Sequence, residues 1–142
     1  METIKIYLSG SMSDSSWEEQ SRWRKQIRNA IKYEDYDCEK KPTFFDPTQY
    51  YNFEEKRHET EYEVMQFDLH NLRNSNLVIV NFNKVDSIGT AMELMLAYEL
   101  KIPIIGLNID KKELHPWLEC SCNRMFSNMR DLVDYVVEFY LN

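Results

Sequence analysis

Two carboxylates and a tyrosine stand out as residues able to do chemistry. Glu93 comes soon after the most continuous apolar run of the chain, Leu77-Val78-Ile79-Val80-Asn81-Phe82, in the first turn of a helical segment. Asp68 lies three residues after Met65 and four before Leu72, which places a carboxylate at the border of an apolar helix face. Tyr7 sits near the carboxyl end of the first strand segment. A carboxylate held beside a reacting centre acts as a nucleophile or as a general acid or base. Each residue also has a plain structural role. Thr90-x-x-Glu93 is a capping box with Thr90 as N-cap, and Ser87 is an alternative cap. Asp68 alone reads as a solvated helix residue, and Tyr7 alone as a half-buried strand aromatic.

The elements that must position these residues follow from hydrophobic periodicity. Strands are expected at 3–9, 43–45, 77–82, 102–107 and 124–126. Helices are expected at 16–32, 59–73, 88–100 and 128–141, with a short helical or irregular stretch at 111–119. The first helix presents Trp23, Ile27, Ala30 and Ile31, the second Tyr62, Met65, Leu69 and Leu72, and the third Ala91, Leu94, Met95 and Tyr98. Residues 48–58 read as an irregular, aromatic-rich loop, and Glu54-Glu55-Lys56-Arg57 as a solvated run. The alternation predicts one α/β domain over 1–142. Its architecture would be a doubly wound, five-stranded parallel sheet with helices on both faces, flavodoxin/Rossmann-like.

In such sheets ligands bind outside the carboxyl ends of the strands. Those ends are Ser9-Gly10-Ser11, Asp46-Pro47, Asn83 to Gly89, and Gly106 to Asn108. The N-termini of the first and third helices point the same way and offer free amides to a phosphate. All three glycines lie at or beside these ends and would surround one pocket.

Composition removes several classes. The net charge of −7 disfavours a polymeric nucleic-acid binder. With only Gly10, Gly89 and Gly106, neither a GxGxxG fingerprint nor a Walker A loop is present. No run suits a membrane span, and METIKIYLSG lacks the apolar core of a signal peptide. Cys38, Cys120 and Cys122 read as reduced cytosolic thiols. Cys120-x-Cys122 has no second ligand pair, and His58, His70 and His115 show no partner spacing, so no metal site is expected. The expected setting is cytoplasmic.

Taken together, the chain resembles the nucleoside 2-deoxyribosyltransferase family and the related deoxynucleoside 5'-monophosphate N-glycosidases. The resemblance is carried by Ile6-Tyr7-Leu8-Ser9-Gly10-Ser11, Phe67-Asp68-Leu69, Asn76 to Asn81, and Ser87-Ile88-Gly89-Thr90-Ala91-Met92-Glu93-Leu94. Ala97 and Lys101-Ile102-Pro103-Ile104-Ile105 follow in order. It implies that Glu93 is the nucleophile, that Tyr7 orients it and that Asp68 handles the base or its proton. It implies no metal or organic cofactor, a small nucleoside or nucleotide substrate, and a homo-oligomer.

The chemistry expected is cleavage of an N-glycosidic bond through a glycosyl ester on Glu93. The sugar then passes to an acceptor base, or to water in the hydrolase alternative. Transferases of this family commonly carry an aspartate six residues before the nucleophile; here Ser87 stands there and Asp86 precedes it. Nucleotide-cleaving relatives have serine at that place and a Gly-Ser after the first strand, which Gly10-Ser11 matches. Ser11, Ser87 and Gly89 therefore point to a phosphorylated substrate. Ser9 and Asp46 belong to the same strand-end set. Ser121 and Asn123 match residues that relatives donate to a neighbouring subunit's site. The segments Trp17 to Arg24 and Phe45 to Tyr51 have no clear equivalent and would form a lid and a ring-stacking wall. The alternative from another class is a non-catalytic nucleotide-binding module on the same fold.

Overall fold

The computed structural model describes residues 2–12, 16–34, 37–51 and 58–142. Most of the irregular loop expected at 48–58, including the Glu54–Arg57 run, lies outside the described residues. Five strands form one parallel sheet: β1 (Thr3–Gly10), β2 (Lys41–Phe45), β3 (Leu77–Asn81), β4 (Ile104–Leu107) and β5 (Arg124–Phe126). Their spatial order is β2-β1-β3-β4-β5. The helices are α1 (Trp17–Glu34), α2 (Glu61–Arg73), α3 (Ile88–Glu99), α4 (Pro116–Ser121) and α5 (Met129–Tyr140), with a 3-10 turn at Pro47–Gln49.

Strand alternation divides the core into two layers. Ile4, Ile6 and Leu8 of β1, with Leu77, Ile79, Ile105 and Leu107, pack against Trp23, Ile27 and Ile31 of α1 and Leu132, Val133 and Val136 of α5. Tyr7, Val78, Val80 and Ile104 face the other way, onto Leu72 of α2 and Leu94 and Ala97 of α3. All five residues of β3 are buried, as a central strand covered on both faces requires. The sheet is thus doubly wound.

Local chemistry moved several boundaries. β2 starts two residues earlier than expected and includes Pro42, which an edge strand accommodates. α4 starts at Pro116, capped by the His115 side chain, later than the 111–119 expected, because proline fits the first helical position. The buried face of α3 is Thr90, Leu94 and Ala97, and Met95 and Tyr98 are exposed. On α2 only Leu72 is fully buried, while Tyr62 and Met65 are exposed. In both helices the apolar stripe is wider than the surface the sheet covers, and part of it borders the cavity described next.

Candidate active site

The carboxyl edge of the sheet holds a cavity of about 610 Å³. Gly10 and Met12 line it from the end of β1, and Tyr51 from the segment after the 3-10 turn. Glu61, Val64, Met65, Asp68 and Leu69 line it from α2. Asp86 to Thr90, Met92 and Glu93 line it from α3 and the residues before it.

Glu93 is not a capping residue. Ser87 is the N-cap of α3, and its Oγ accepts from the Thr90 amide at 3.3 Å and the Thr90 hydroxyl at 2.9 Å. Glu93 therefore falls in the second turn of the helix. Its carboxylate accepts from the Tyr7 hydroxyl on Oε2 and from the Ser9 hydroxyl on Oε1, the latter at 3.1 Å. Both donors come from one face of β1, two residues apart, because alternate side chains of a strand share a face. The Tyr7 ring is fixed in turn by stacking on Phe45 (5.1 Å between centroids). Phe45 stacks on Tyr50 at 5.2 Å, and Phe67 meets both edge-on. Trp17 Nε1 donates to the carbonyls of Thr48 (3.2 Å) and Tyr51 (3.0 Å), tying α1 to the chain that carries these rings.

Burial changes how these groups titrate. Desolvation pushes the Glu93 carboxyl up to about 7; the Tyr7 hydrogen bond opposes this and the nearby Asp68 charge adds to it. Asp68 is raised to about 6 by desolvation, offset in part by Tyr51 and Arg24. Its Oδ1 is buried, without a hydrogen-bond partner among the described residues. Tyr7 is pushed well above its ordinary value by burial and by the two carboxylates, so it stays a phenol and a donor. Two carboxyls that hold protons near neutrality, on one cavity, can divide the roles of nucleophile and proton handler.

The remaining residues expected at the site divide into groups. Ser87, Gly89 and Asp86 line the cavity. The Ile88 and Gly89 amides precede the first intrahelical bond of α3, from Ala91 N to Ser87 O, so the helix presents orphan donors there. The Ser87 oxygen accepts both of its hydrogen bonds, which leaves its hydroxyl proton free to donate. Ser11 is buried, with no hydrogen-bond partner for its Oγ among the described residues, and does not line the cavity. Asp46 is fully buried: it pairs with Arg28 at 3.1 Å and caps the 3-10 turn through the Thr48 amide. Ser121 and Asn123 lie elsewhere. Ser121 donates to Leu118 O, and Asn123 Oδ1 accepts from the Ile104 amide at 2.9 Å between β4 and β5.

Of the glycines, Gly10 and Gly89 line the cavity but Gly106 does not; a Cβ there would meet Met125 Sδ at 2.6 Å. Of the segment Phe45 to Tyr51, Tyr51 lines the cavity. One buried charge near this edge was not singled out by the sequence. Arg24 is fully buried behind β1 although its face of α1 reads as apolar. The available signal was a charged residue between Gln20 and Ile27 on the stripe of Trp23, Ile27 and Ile31.

Among the described residues no helix is long and apolar enough to cross a membrane, and no group of three or more His, Cys, Asp or Glu side chains clusters as a metal site would.

Fold and site together define a parallel, doubly wound α/β protein with two partly desolvated carboxyls at the carboxyl edge of its sheet. In sequence, residues 6–138 match the nucleoside 2-deoxyribosyltransferase family, and the chain belongs to that family. No curated protein sequence gives a significant match. Solved structures share the fold across most of both chains. The 2-deoxyribosyltransferase of Bacillus psychrosaccharolyticus is 19% identical, with a TM-score of 0.70, covering 92% of this chain and 91% of that one. A conserved protein from Enterococcus faecalis is 18% identical, with a TM-score of 0.73 and coverage of 96% and 98%. A CMP N-glycosidase of Clostridium botulinum is 14% identical, with a TM-score of 0.58 and coverage of 96% and 99%.

Proposed function

We propose that this protein cleaves the N-glycosidic bond of a nucleoside or its 5'-monophosphate and passes the sugar to an acceptor base. The observation that carries this reading is the Glu93 carboxylate, held by Tyr7 and Ser9 on a cavity it shares with Asp68. An ionised Glu93 oxygen attacks the anomeric carbon as the bond to the base breaks, through an oxocarbenium-like transition state. The bonding electrons leave with the base, and Asp68 supplies a proton to its ring nitrogen. A second base then attacks the glycosyl ester, gives up its own proton to Asp68 and frees Glu93.

A second reading replaces the acceptor base by water and the nucleoside by its 5'-monophosphate. The observation that favours it is the donor set at the start of α3: Ser87 and the Ile88 and Gly89 amides, all on the cavity. One experiment separates the two. A deoxynucleoside, and separately its monophosphate, is incubated with and without an acceptor base, and free base and new nucleoside are measured by chromatography. New nucleoside only when acceptor is present supports transfer; base released from the monophosphate alone, without acceptor, supports hydrolysis. Ligand-induced thermal stabilisation with no base released under any condition would identify a non-catalytic nucleotide-binding module.

In this reading the protein works in the cytoplasm as a homo-oligomer. What supports assembly is the apolar groove between α3 and α4, with Ile88 and Trp117 exposed at 76% and 73%. Light scattering on a sizing column measures it, and a monomeric mass would overturn it.

A further inference from the structure

We infer that Arg24 is a positioning residue of this site: its guanidinium ties off the carbonyls on either side of Ser9 and sets a buried positive charge behind Glu93 and Asp68. The inference rests on the reading of Glu93 as nucleophile and adds a residue to it.

The geometry starts with a gap in the sheet. β1 pairs with β2 only as far as Tyr7 opposite Phe45, while its pairing with β3 runs on to Gly10 opposite Asn81. Past Tyr7, one edge of β1 has no neighbouring strand among the described residues, and buried carbonyls there need other donors. Arg24 supplies them. Its Nε donates to Leu8 O at 3.2 Å and its Nη2 to Gly10 O at 3.1 Å, while Nη1 closes back on Gln20 O of its own helix at 3.0 Å. The planar fork spans two carbonyls that a single ammonium cannot both reach. Ser9, between them, is the residue that donates to Glu93. The Trp23 ring lies 4.6 Å from the guanidinium, and Gly10 leaves room for both: a Cβ there would come within 2.9 Å of Trp23 and 3.4 Å of Arg24 Nη2.

The charge is as unusual as the fork. Arg24 is fully buried, yet among the described residues it has no carboxylate oxygen within ion-pair distance; its three hydrogen bonds all go to neutral carbonyls. Neighbouring Arg28, by contrast, pairs directly with Asp46. A buried cation without a contact partner must be balanced by charges around it. The groups that face it are Asp46, already paired, and Glu93, Tyr7 and Asp68. Those that face Glu93 are Tyr7 and Ser9 from β1, Asp68 from α2, Arg24 from α1 and Tyr51 from the segment after the 3-10 turn. Arg24 is thus the one cation among them, and it favours the ionised form of both carboxyls.

The test follows the charge on Glu93 directly. Protein labelled with carboxyl-13C glutamate is titrated by NMR, the Glu93 resonance being the one lost in Glu93→Gln. The pH dependence of base release from a deoxynucleoside and its monophosphate is measured alongside, for the native protein, Arg24→Met and Arg24→Lys. In Arg24→Met the Glu93 midpoint rises by about one pH unit or more, and the acidic limb of base release moves with it. In Arg24→Lys, which keeps the charge and loses the fork, the midpoint stays near that of the native protein while base release falls roughly tenfold. A folded Arg24→Met with an unchanged midpoint overturns the inference. If Arg24→Met does not fold, Arg24→Lys decides: a midpoint raised by a full unit there overturns it, and a native midpoint with slowed release supports it. No base release from the native protein, with a midpoint that still depends on Arg24, overturns the proposed reaction and leaves the assignment of the charge standing.

Discussion

The Tyr7 hydroxyl donates to the Glu93 carboxylate across 86 positions of sequence, joining the end of β1 to the second turn of α3. A hydrogen bond to a charged acceptor contributes about 1.5–3 kcal/mol. Tyr7→Phe keeps the ring on Phe45 and removes only the donor. Base release should fall by roughly 10–100-fold, and the Glu93 midpoint followed by NMR should move up, because that bond holds the Glu93 carboxyl lower than burial alone would. An unchanged midpoint in a folded Tyr7→Phe would show that the phenol does not act on Glu93.

Glu93→Gln should abolish covalent chemistry, with base release reduced by about three orders of magnitude or more. It should also stabilise the fold at alkaline pH. The folded carboxyl titrates near 7, above its ordinary value of 4.5, so the folded state binds the proton more tightly than the unfolded one. Stability from this group is therefore complete below about 4.5 and is lost as pH rises through 7. At pH 8 the ionised, partly desolvated carboxylate costs at most ~3 kcal/mol, which glutamine removes. Melting curves should show Glu93→Gln above the native protein at pH 8, with the gap closing as pH falls toward 4.5. A gap of the opposite sign would mean that Glu93 is not held against its own desolvation.

The pH dependence of base release should be narrow. The ionised fraction of Glu93 falls as pH drops through about 7, and the protonated fraction of Asp68 falls as pH climbs through about 6. The rate therefore peaks between these two values and drops on either side. The two carboxyls interact, and the limbs belong to the pair rather than to either residue. Asp68→Asn removes one negative charge beside Glu93. The alkaline limb should disappear, and the rate, though lower, should level off above the Glu93 midpoint, which itself drops below about 7 once the neighbouring charge is gone. Retention of both limbs in Asp68→Asn would assign the alkaline limb to another group.

The two cavity glycines should respond differently to alanine. Among the described residues no atom lies within 4 Å of a Cβ added at Gly89, and its backbone is not left-handed, so Gly89→Ala should fold at least as stably as the native protein. If a 5'-phosphate rests on the start of α3, the added methyl should still weaken the monophosphate, raising its KM several-fold while leaving the nucleoside unchanged. Gly10→Ala must displace the Trp23 ring, 2.9 Å from the new methyl, and with it Arg24. It should lower the melting temperature and base release together. Equal effects on both substrates in Gly89→Ala would argue against a phosphate at this helix.

Periodicity and strand-end chemistry carried much of this protein. The alternation of short apolar runs with helix-period segments is local information, and it was enough for the parallel doubly wound sheet. Rules of chain direction then placed Tyr7, Ser9, Gly10, Asp68, Ser87, Gly89 and Glu93 at one edge. What the sequence left open was which of two hydrogen-bonding patterns Glu93 would adopt. Capping by Thr90 and bonding to Tyr7 were both compatible with the spacing, and only the helix start at Ile88 decided between them. Asp46 and Ser11 looked equally available, yet packing buried both, one in an ion pair with Arg28 and the other with no partner among the described residues. Arg24 was invisible for a deeper reason. Its role exists because β2 stops pairing three residues before β1 ends, a mismatch of strand lengths that no local pattern encodes. Local sequence sets which residues can form an element and which face they share; the charges and carbonyls those faces meet are decided when the elements pack.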